Sequence, residues 1–378
     1  MSDAKMAESV FVRVSEPIPT VVETETGSMV VRGAHALAGV RLTRDATSSL
    51  QLHREMPPDV DYAGAWVQRH ARFWAMLAAG MSATAPSTPL RGSSRVASYV
   101  DPWTRSFELR LVGGGSRRES VEFGLWVKAF DIDAEAAAME ATALARLVAA
   151  LWLPECEPRP MCSEADFERG WQTKDLPWLA EVRRDEGFAV RIAEGDVREG
   201  DYWLSDWSPA PEGLMEVWDL LRRLPAETWV SVGVRPTRLL EFEERALGEL
   251  WAQAQRLATG KTVSYHPHGE WQASRWAERL KRWMPGAFLV RLRIGGEPEA
   301  GRWIAQALAG ALMEPTGSPG SSAVVVAAES EEEQAVARFN WEWADFQAWG
   351  DDQAQPGWDR LRYLCDAREI GLLAGVWS

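Results

Sequence analysis

Gly260-Lys261-Thr262 is the first place in this chain where chemistry would be sought, because it ends a phosphate-binding signature. In that signature a glycine, four residues and then Gly-Lys-Ser/Thr form a turn between a strand and a helix. Backbone N–H groups there cradle phosphate while the lysine adds charge. The leading glycine would stand at position 255, which is Gln255. The segment also follows a helical pattern, so Gly260 reads as a helix C-cap. Tyr265-His266-Pro267-His268 brings two imidazoles together, with Glu270 nearby, yet a zinc site needs a denser ligand set. A surface loop is the expectation. Asp351-Asp352 follows Gly350 and precedes Gln-Ala-Gln-Pro, a solvated loop by composition, while Glu331-Glu332-Glu333 suits the start of a helix through its dipole. No Gly-x-Ser-x-Gly elbow occurs, and Cys156, Cys162 and Cys365 lie in no activating motif. Carboxylates are plentiful and anonymous. The expectation is no catalytic residue, no cofactor and no metal ligand.

The elements that would position such groups follow a recurring pattern. The first 55 residues are strand-like in patches (10–14 and 28–32), and 61–81 is a helix with Trp66, His70, Phe73, Trp74 and Leu77 along one side. A small-polar linker spans 82–98. Residues 107–112 and 121–130 form two β-rich runs joined by a Gly-rich turn, and 134–153 is an Ala-rich helix striped by Met139, Leu144, Leu147, Val148 and Leu151. The theme repeats. A helix at 215–224, a strand at 228–234, helices at 239–257 and 271–284, a strand at 287–294, a helix at 299–313, a strand at 323–328 and a helix at 331–349 are expected. In the last three helices of that series, Trp276, Leu280 and Trp283, then Trp303, Ile304, Leu308 and Leu312, then Val336, Phe339, Trp343 and Phe346 would face inward. Residues 154–211 are less regular, with 188–192 their clearest strand.

The fold class is therefore α/β (α+β), with repeated strand-helix units forming ferredoxin-like βαβ lobes whose helices pack on mixed sheets. A doubly wound parallel sheet is the second choice. Three segments are expected: 1–98, a β-rich stretch with a helix and linker; 99–211, a first lobe with an irregular insertion; and 212–378, a second lobe. The chain has 378 residues, 46% hydrophobic and 25% charged, enough to bury more than one small core. No apolar run approaches the roughly 20 residues that cross a bilayer, and the first nine residues are not those of a signal peptide, so a cytoplasmic protein is expected. A net charge of −14 repels phosphate backbones, which disfavours direct nucleic-acid binding.

Three phrases resemble the region ahead of the motor in bacterial HerA/FtsK-superfamily ATPases, including the type IV secretion branch. They are Val234-Arg235-Pro236-Thr237-Arg238-Leu239-Leu240 with Glu244-Arg245, Ala287-Phe288-Leu289-Val290-Arg291-Leu292, and Leu361-Arg362-Tyr363-Leu364-Cys365-Asp366-Ala367-Arg368-Glu369. The resemblance covers roughly residues 105 to 375, without the P-loop motor, and transfers no catalytic residue. It implies a non-catalytic assembly or adaptor protein beside a hexameric DNA-translocating ATPase, in DNA transfer or phage defence. Homo-oligomers are compatible with it. The rival readings are an enzyme with an unrecognised, nuclease-like carboxylate site and a small-molecule sensor. The 21 tryptophans can fill a core or mark contacts, and Trp271, Trp276, Trp283, Trp343 and Trp349 are the candidate contact residues.

Overall fold

The computed structural model describes residues 9–24, 27–44, 62–83, 105–117, 121–152, 156–171, 176–192, 198–208, 211–237, 239, 241–259, 267–284, 286–313, 322–344 and 360–374. Its first part runs β1 (Val12–Val14), β2 (Ile18–Thr24), β3 (Gly27–Arg44), α1 (Tyr62–Ala83), β4 (Arg105–Gly113), β5 (Glu122–Asp131), α2 (Ala134–Leu151), β6 (Cys156–Pro160) and α3 (Glu164–Trp171). The turn after β4 needs glycine. Gly114 and Gly115 have φ of 79° and 59°, and a Cβ on Gly114 would lie 2.3 Å from the Ala226 carbonyl oxygen. Helix α2 opens on an N-cap: Asp133 accepts from the Glu135 N–H at 3.0 Å.

The second part runs β7 (Trp178–Arg184), β8 (Glu186–Ile192), β9 (Arg198–Leu204), α4 (Pro211–Arg223), β10 (Thr228–Thr237), α5 (Glu241–Thr259), α6 (Pro267–Trp283), β11 (Ala287–Gly296), α7 (Pro298–Ala311), β12 (Ala323–Ala327), α8 (Glu331–Phe339), β13 (Leu364–Cys365) and α9 (Ala367–Leu373). Helix α8 ends in a π-turn, Asn340–Ala344. β8 and β9 form a separate hairpin.

The chain carries one architecture twice. In β3-α1-β4-β5-α2-β6 the strands order as β6-β3-β5-β4, and in β7-α4-β10-β11-α7-β12 they order as β12-β7-β11-β10. Each is a ferredoxin-like βαββαβ lobe. The lobes join edge to edge where β4 pairs with β10, from Phe107↔Val234 to Gly113↔Thr228, making one continuous sheet. Every ladder among the described residues is antiparallel, so the sheet is not mixed and the doubly wound parallel alternative does not apply. Residues before 98, expected as a segment of their own, supply β3 and α1 to the first lobe: β3 pairs with β5 over Ala34↔Asp131 to Leu42↔Phe123. The lobes differ in their central connection, a tight turn between β4 and β5 but the α5–α6 pair between β10 and β11.

Strand alternation gives the sheet two faces. On the first lie Ala38 and Val40 of β3, Leu125 and Val127 of β5, Phe107 and Leu109 of β4, Val230 and Val232 of β10, and Val290 and Leu292 of β11. Side chains of α1, α2, α4, α7 and α9 pack on this face in one core beneath both lobes. Several helices turn differently from the apolar pattern. In α7 the small residues Ala300, Gly301 and Ala305 face inward, and a Cβ on Gly301 would lie 2.5 Å from the Trp178 ring. This close approach turns Trp303 outward, 48% exposed. In α8 the inward residues are Ala337 and, just beyond the helix, Asn340 and Trp341, leaving Val336 and Phe339 exposed. Met139 of α2 is likewise outside, because Ala137, Ala141 and Ala145 line the contact.

Candidate functional site

The opposite face of the sheet is buried too, and there the polar half of the alternation places ionisable groups. Gly124, Arg110, Ser231, Arg293 and Glu181 stand in register across β5, β4, β10, β11 and β7. Beside them Trp126 faces Glu108, and Gly233 faces Arg291. Glu108, Arg110, Lys128, Glu181, Arg291 and Arg293 are all buried. Burial on both faces requires each charge to be compensated, since an uncompensated ion in this setting costs several kcal/mol.

Glu108 is the hub. Its Oε1 accepts from Arg110 Nε at 3.0 Å, Arg110 Nη2 at 2.6 Å, Ser231 Oγ at 2.7 Å and the Trp341 indole N–H. Its Oε2 lies 3.3 Å from Lys128 Nζ, and that ammonium also donates to the Trp341 carbonyl at 2.7 Å. Three indoles enclose the Arg110 guanidinium, with Trp126 and Trp229 at 5.0 Å and Trp341 at 5.3 Å. The absence of a side chain on Gly124 makes room for the Trp126 ring, whose nearest carbon is 2.4 Å from where a Cβ would stand. Burial pushes the Glu108 carboxyl up, but Arg110, Lys128 and Arg293, with the Arg110 hydrogen bond, outweigh it and hold the group at about 2. A carboxylate held so low, with its oxygens already engaged, is a poor proton acceptor near neutrality. Its role is to tie β4, β5, β10 and the π-turn together.

A second polar network surrounds the C-terminal phrase. Arg184 pairs with Glu369 at 2.8 Å, donates to the Leu364 carbonyl and lies under the Trp207 ring at 4.6 Å. Burial lowers the Arg184 pKa, and Glu369 foremost reverses this, so the guanidinium is held charged. Arg362 pairs with Glu186 at 2.9 Å, which also accepts from Tyr202 at 2.6 Å. Arg360 meets Glu243 at 3.2 Å and donates to Thr237 at 2.7 Å. Asp206 holds Arg275 and Arg279; burial raises its carboxyl, but these arginines win and keep it below the usual carboxylate range.

These contacts place the phrases of the family resemblance in one patch. Val234 pairs with Val290, Arg235 with Leu289, Leu289 with Leu364 and Phe288 with Cys365. They are the neighbouring strands β10 and β11, with the short strand β13 paired antiparallel to the start of β11.

Of the candidate contact residues, Trp276 and Trp283 are core, each 2% exposed, with Trp276 stacked on Tyr202 at 6.1 Å. Their rings lie on the inward face that the apolar stripe assigned them and are committed within the chain, which corrects their candidacy as contact residues; α6 packs both in one cluster with β9 and β11. Trp343 is half-buried, 5.8 Å from the Arg13 guanidinium. Trp349 lies outside the described residues, and so does the side chain of Trp271. Among the described residues the exposed indoles are Trp303, which apolar periodicity assigned to a buried face, and Trp251. Lys261 and Thr262, His266, and Asp351-Asp352 also lie outside the described residues, as does the side chain of His268. Among the described residues no group of three His, Cys, Asp or Glu is placed to hold a metal ion. A shallow cleft open to solvent borders the Trp126–Arg110 cage; Asp166, which lines it, meets Arg41 at 3.4 Å and Arg169 at 3.7 Å. Among the described residues no helix is long and apolar enough to cross a membrane. No protein-family model matches the chain, and no curated protein does.

Proposed function

We propose that this chain is a non-catalytic interaction protein, a double-lobed scaffold that presents its helical surface to a protein partner. The observation that carries this reading is the use made of the buried ionisable groups. Glu108 and Glu181 each lie against arginines, Glu108 at 2.6 Å from Arg110 and Glu181 at 3.5 Å from Arg291. Glu108 of β4 also reaches Lys128 of β5 and Ser231 of β10, and Glu181 of β7 meets Arg291 of β11, so these buried groups join strands to one another. What the helices offer outward is contact chemistry, with Trp303 48% and Trp251 37% exposed. A carboxylate-based nuclease would instead need such groups to converge on open space, free to bind metal and water.

The partner we propose is a hexameric DNA-translocating ATPase of the HerA/FtsK type, on the strength of the three phrases that resemble the pre-motor region. The chain would act as an assembly or adaptor component in DNA transfer or phage defence, in the cytoplasm. The test is co-purification with such an ATPase encoded beside it, together with ATPase assays of each protein alone and of the pair. A stable complex in which only the motor hydrolyses ATP is the expected result. Turnover by this chain alone, abolished by Lys261→Ala, overturns the reading.

A further inference from the structure

The two lobes are alike in topology but opposite in how they end. The outermost strand of the first, β6, reads Cys-Glu-Pro-Arg-Pro, with charges and prolines that keep other strands from adding to it. Its counterpart in the second lobe, β12, reads Ala-Val-Val-Val-Ala and carries no protective residue. Among the described residues β12 pairs only with β7. The hydrogen bonds fix which groups point away. The Asp185 N–H donates to the Ser322 carbonyl, and the Ala328 N–H to the Leu179 carbonyl, so even-numbered residues face β7. The N–H and C=O groups of Ala323, Val325 and Ala327 therefore point outward along the free edge.

We propose that this edge pairs with the same edge of a second copy, β12 against β12 antiparallel, with the two-fold axis at Val325. Three features single out a second copy as the occupant. The strand is a palindrome, so a two-fold axis at Val325 sets Ala323 opposite Ala327 and Val324 opposite Val326, like against like. An uncharged strand meets itself without repulsion between its own side chains, although each chain carries a net charge of −14. The fold also already joins lobes in this manner, since β4 and β10 unite the two halves edge to edge through an antiparallel ladder. The pairing extends the continuous sheet across two chains. It is independent of the partner proposed above, which would meet helix faces and not this edge.

The test reads the register as well as the mass. Sedimentation equilibrium of the full chain, from micromolar concentration upward, is expected to show a reversible dimer. Val324→Lys/Val326→Lys sets lysine opposite lysine in the two-fold pair and is expected to weaken the dimer by about tenfold or more. Val324→Lys/Val326→Glu sets lysine opposite glutamate and is expected to restore it, a rescue that a foreign strand would not produce. Both positions are half-buried, where long side chains reach water, and unchanged circular dichroism confirms that each variant is folded. Val325→Cys in a Cys162→Ser background should form an interchain disulfide on mild oxidation. The opposed Cα atoms would be about 5.5 Å apart, within the roughly 4.4–6.8 Å that a disulfide spans. A chain that stays monomeric throughout overturns the proposal, as does a dimer that both double variants leave unchanged.

Discussion

Replacing Glu108 by glutamine tests the buried network most directly. The substitution keeps the shape and removes the charge that compensates Arg110 at 2.6 Å and Lys128 at 3.3 Å. Removing one member of a buried pair costs about 3–5 kcal/mol, because the remaining charge stays out of water. The titration of the carboxyl gives a second route to the number. Its ordinary value is 4.5 and its folded value about 2, a gap worth about 3 kcal/mol. The two routes agree, and set against the 5–15 kcal/mol typical of whole domains the loss is large. The sign follows from the folded value being depressed. The stabilisation is fully present above pH 4.5 and is lost as pH falls toward 2. Urea unfolding followed by tryptophan fluorescence should therefore show Glu108→Gln about 3 kcal/mol less stable near neutral pH, with the gap closing in acid. Glu108→Met with Arg110→Met should cost less than the sum of the single changes. A loss under about 1 kcal/mol at neutral pH, or a gap indifferent to pH, would refute the reasoning.

Gly371→Ala sets a Cβ 2.7 Å from the Val67 carbonyl oxygen and 2.8 Å from the Ala71 nitrogen, so α1 and α9 must part; a stability loss of about 1–3 kcal/mol by urea unfolding is expected. Gly114→Ala combines positive φ with a clash on the Ala226 carbonyl and should cost a similar amount, about 1–3 kcal/mol, read from the thermal midpoint. Burial pushes the Cys365 thiol well up, whereas Cys162 is only half-buried, so iodoacetamide followed by mass spectrometry should label Cys162 in the native protein and Cys365 only after unfolding. Trp303→Ala should leave stability within about 0.5 kcal/mol while weakening capture of the proposed partner in a pull-down.

The α+β class and the strand-helix succession were legible because strands such as Thr228–Thr237 and helices such as Ala134–Leu151 carry strong local periodicity. Helix rotation was not. Trp303 and Val336 look inward by hydrophobicity, but the tight contacts of Gly301 and Ala337 decide which side meets the sheet, and small residues give a weak apolar signal. β6 was hidden by its two prolines, tolerated because it lies at an edge. Nothing in the sequence singled out the Glu108–Arg110 hub, because polar alternation in an antiparallel sheet ordinarily means a wetted face. The available hint was that tryptophans alternate with polar residues of the network: Trp126 stands two residues before Lys128, and Trp229 two before Ser231. A large indole on the polar side of two strands means that side is covered. Pairing order could not be read at all, since register between distant strands leaves no local mark.

The seam between β4 and β10 has a consequence for how the molecule could be taken apart. Severing the chain in the short connection between α3 and β7 would leave two fragments, each ending in one unsatisfied ladder and half of a shared apolar layer. Neither piece is self-sufficient, and each is the other's missing neighbour. Co-expressed fragments should therefore complement, which would make that connection a natural place to split the protein into a reporter pair.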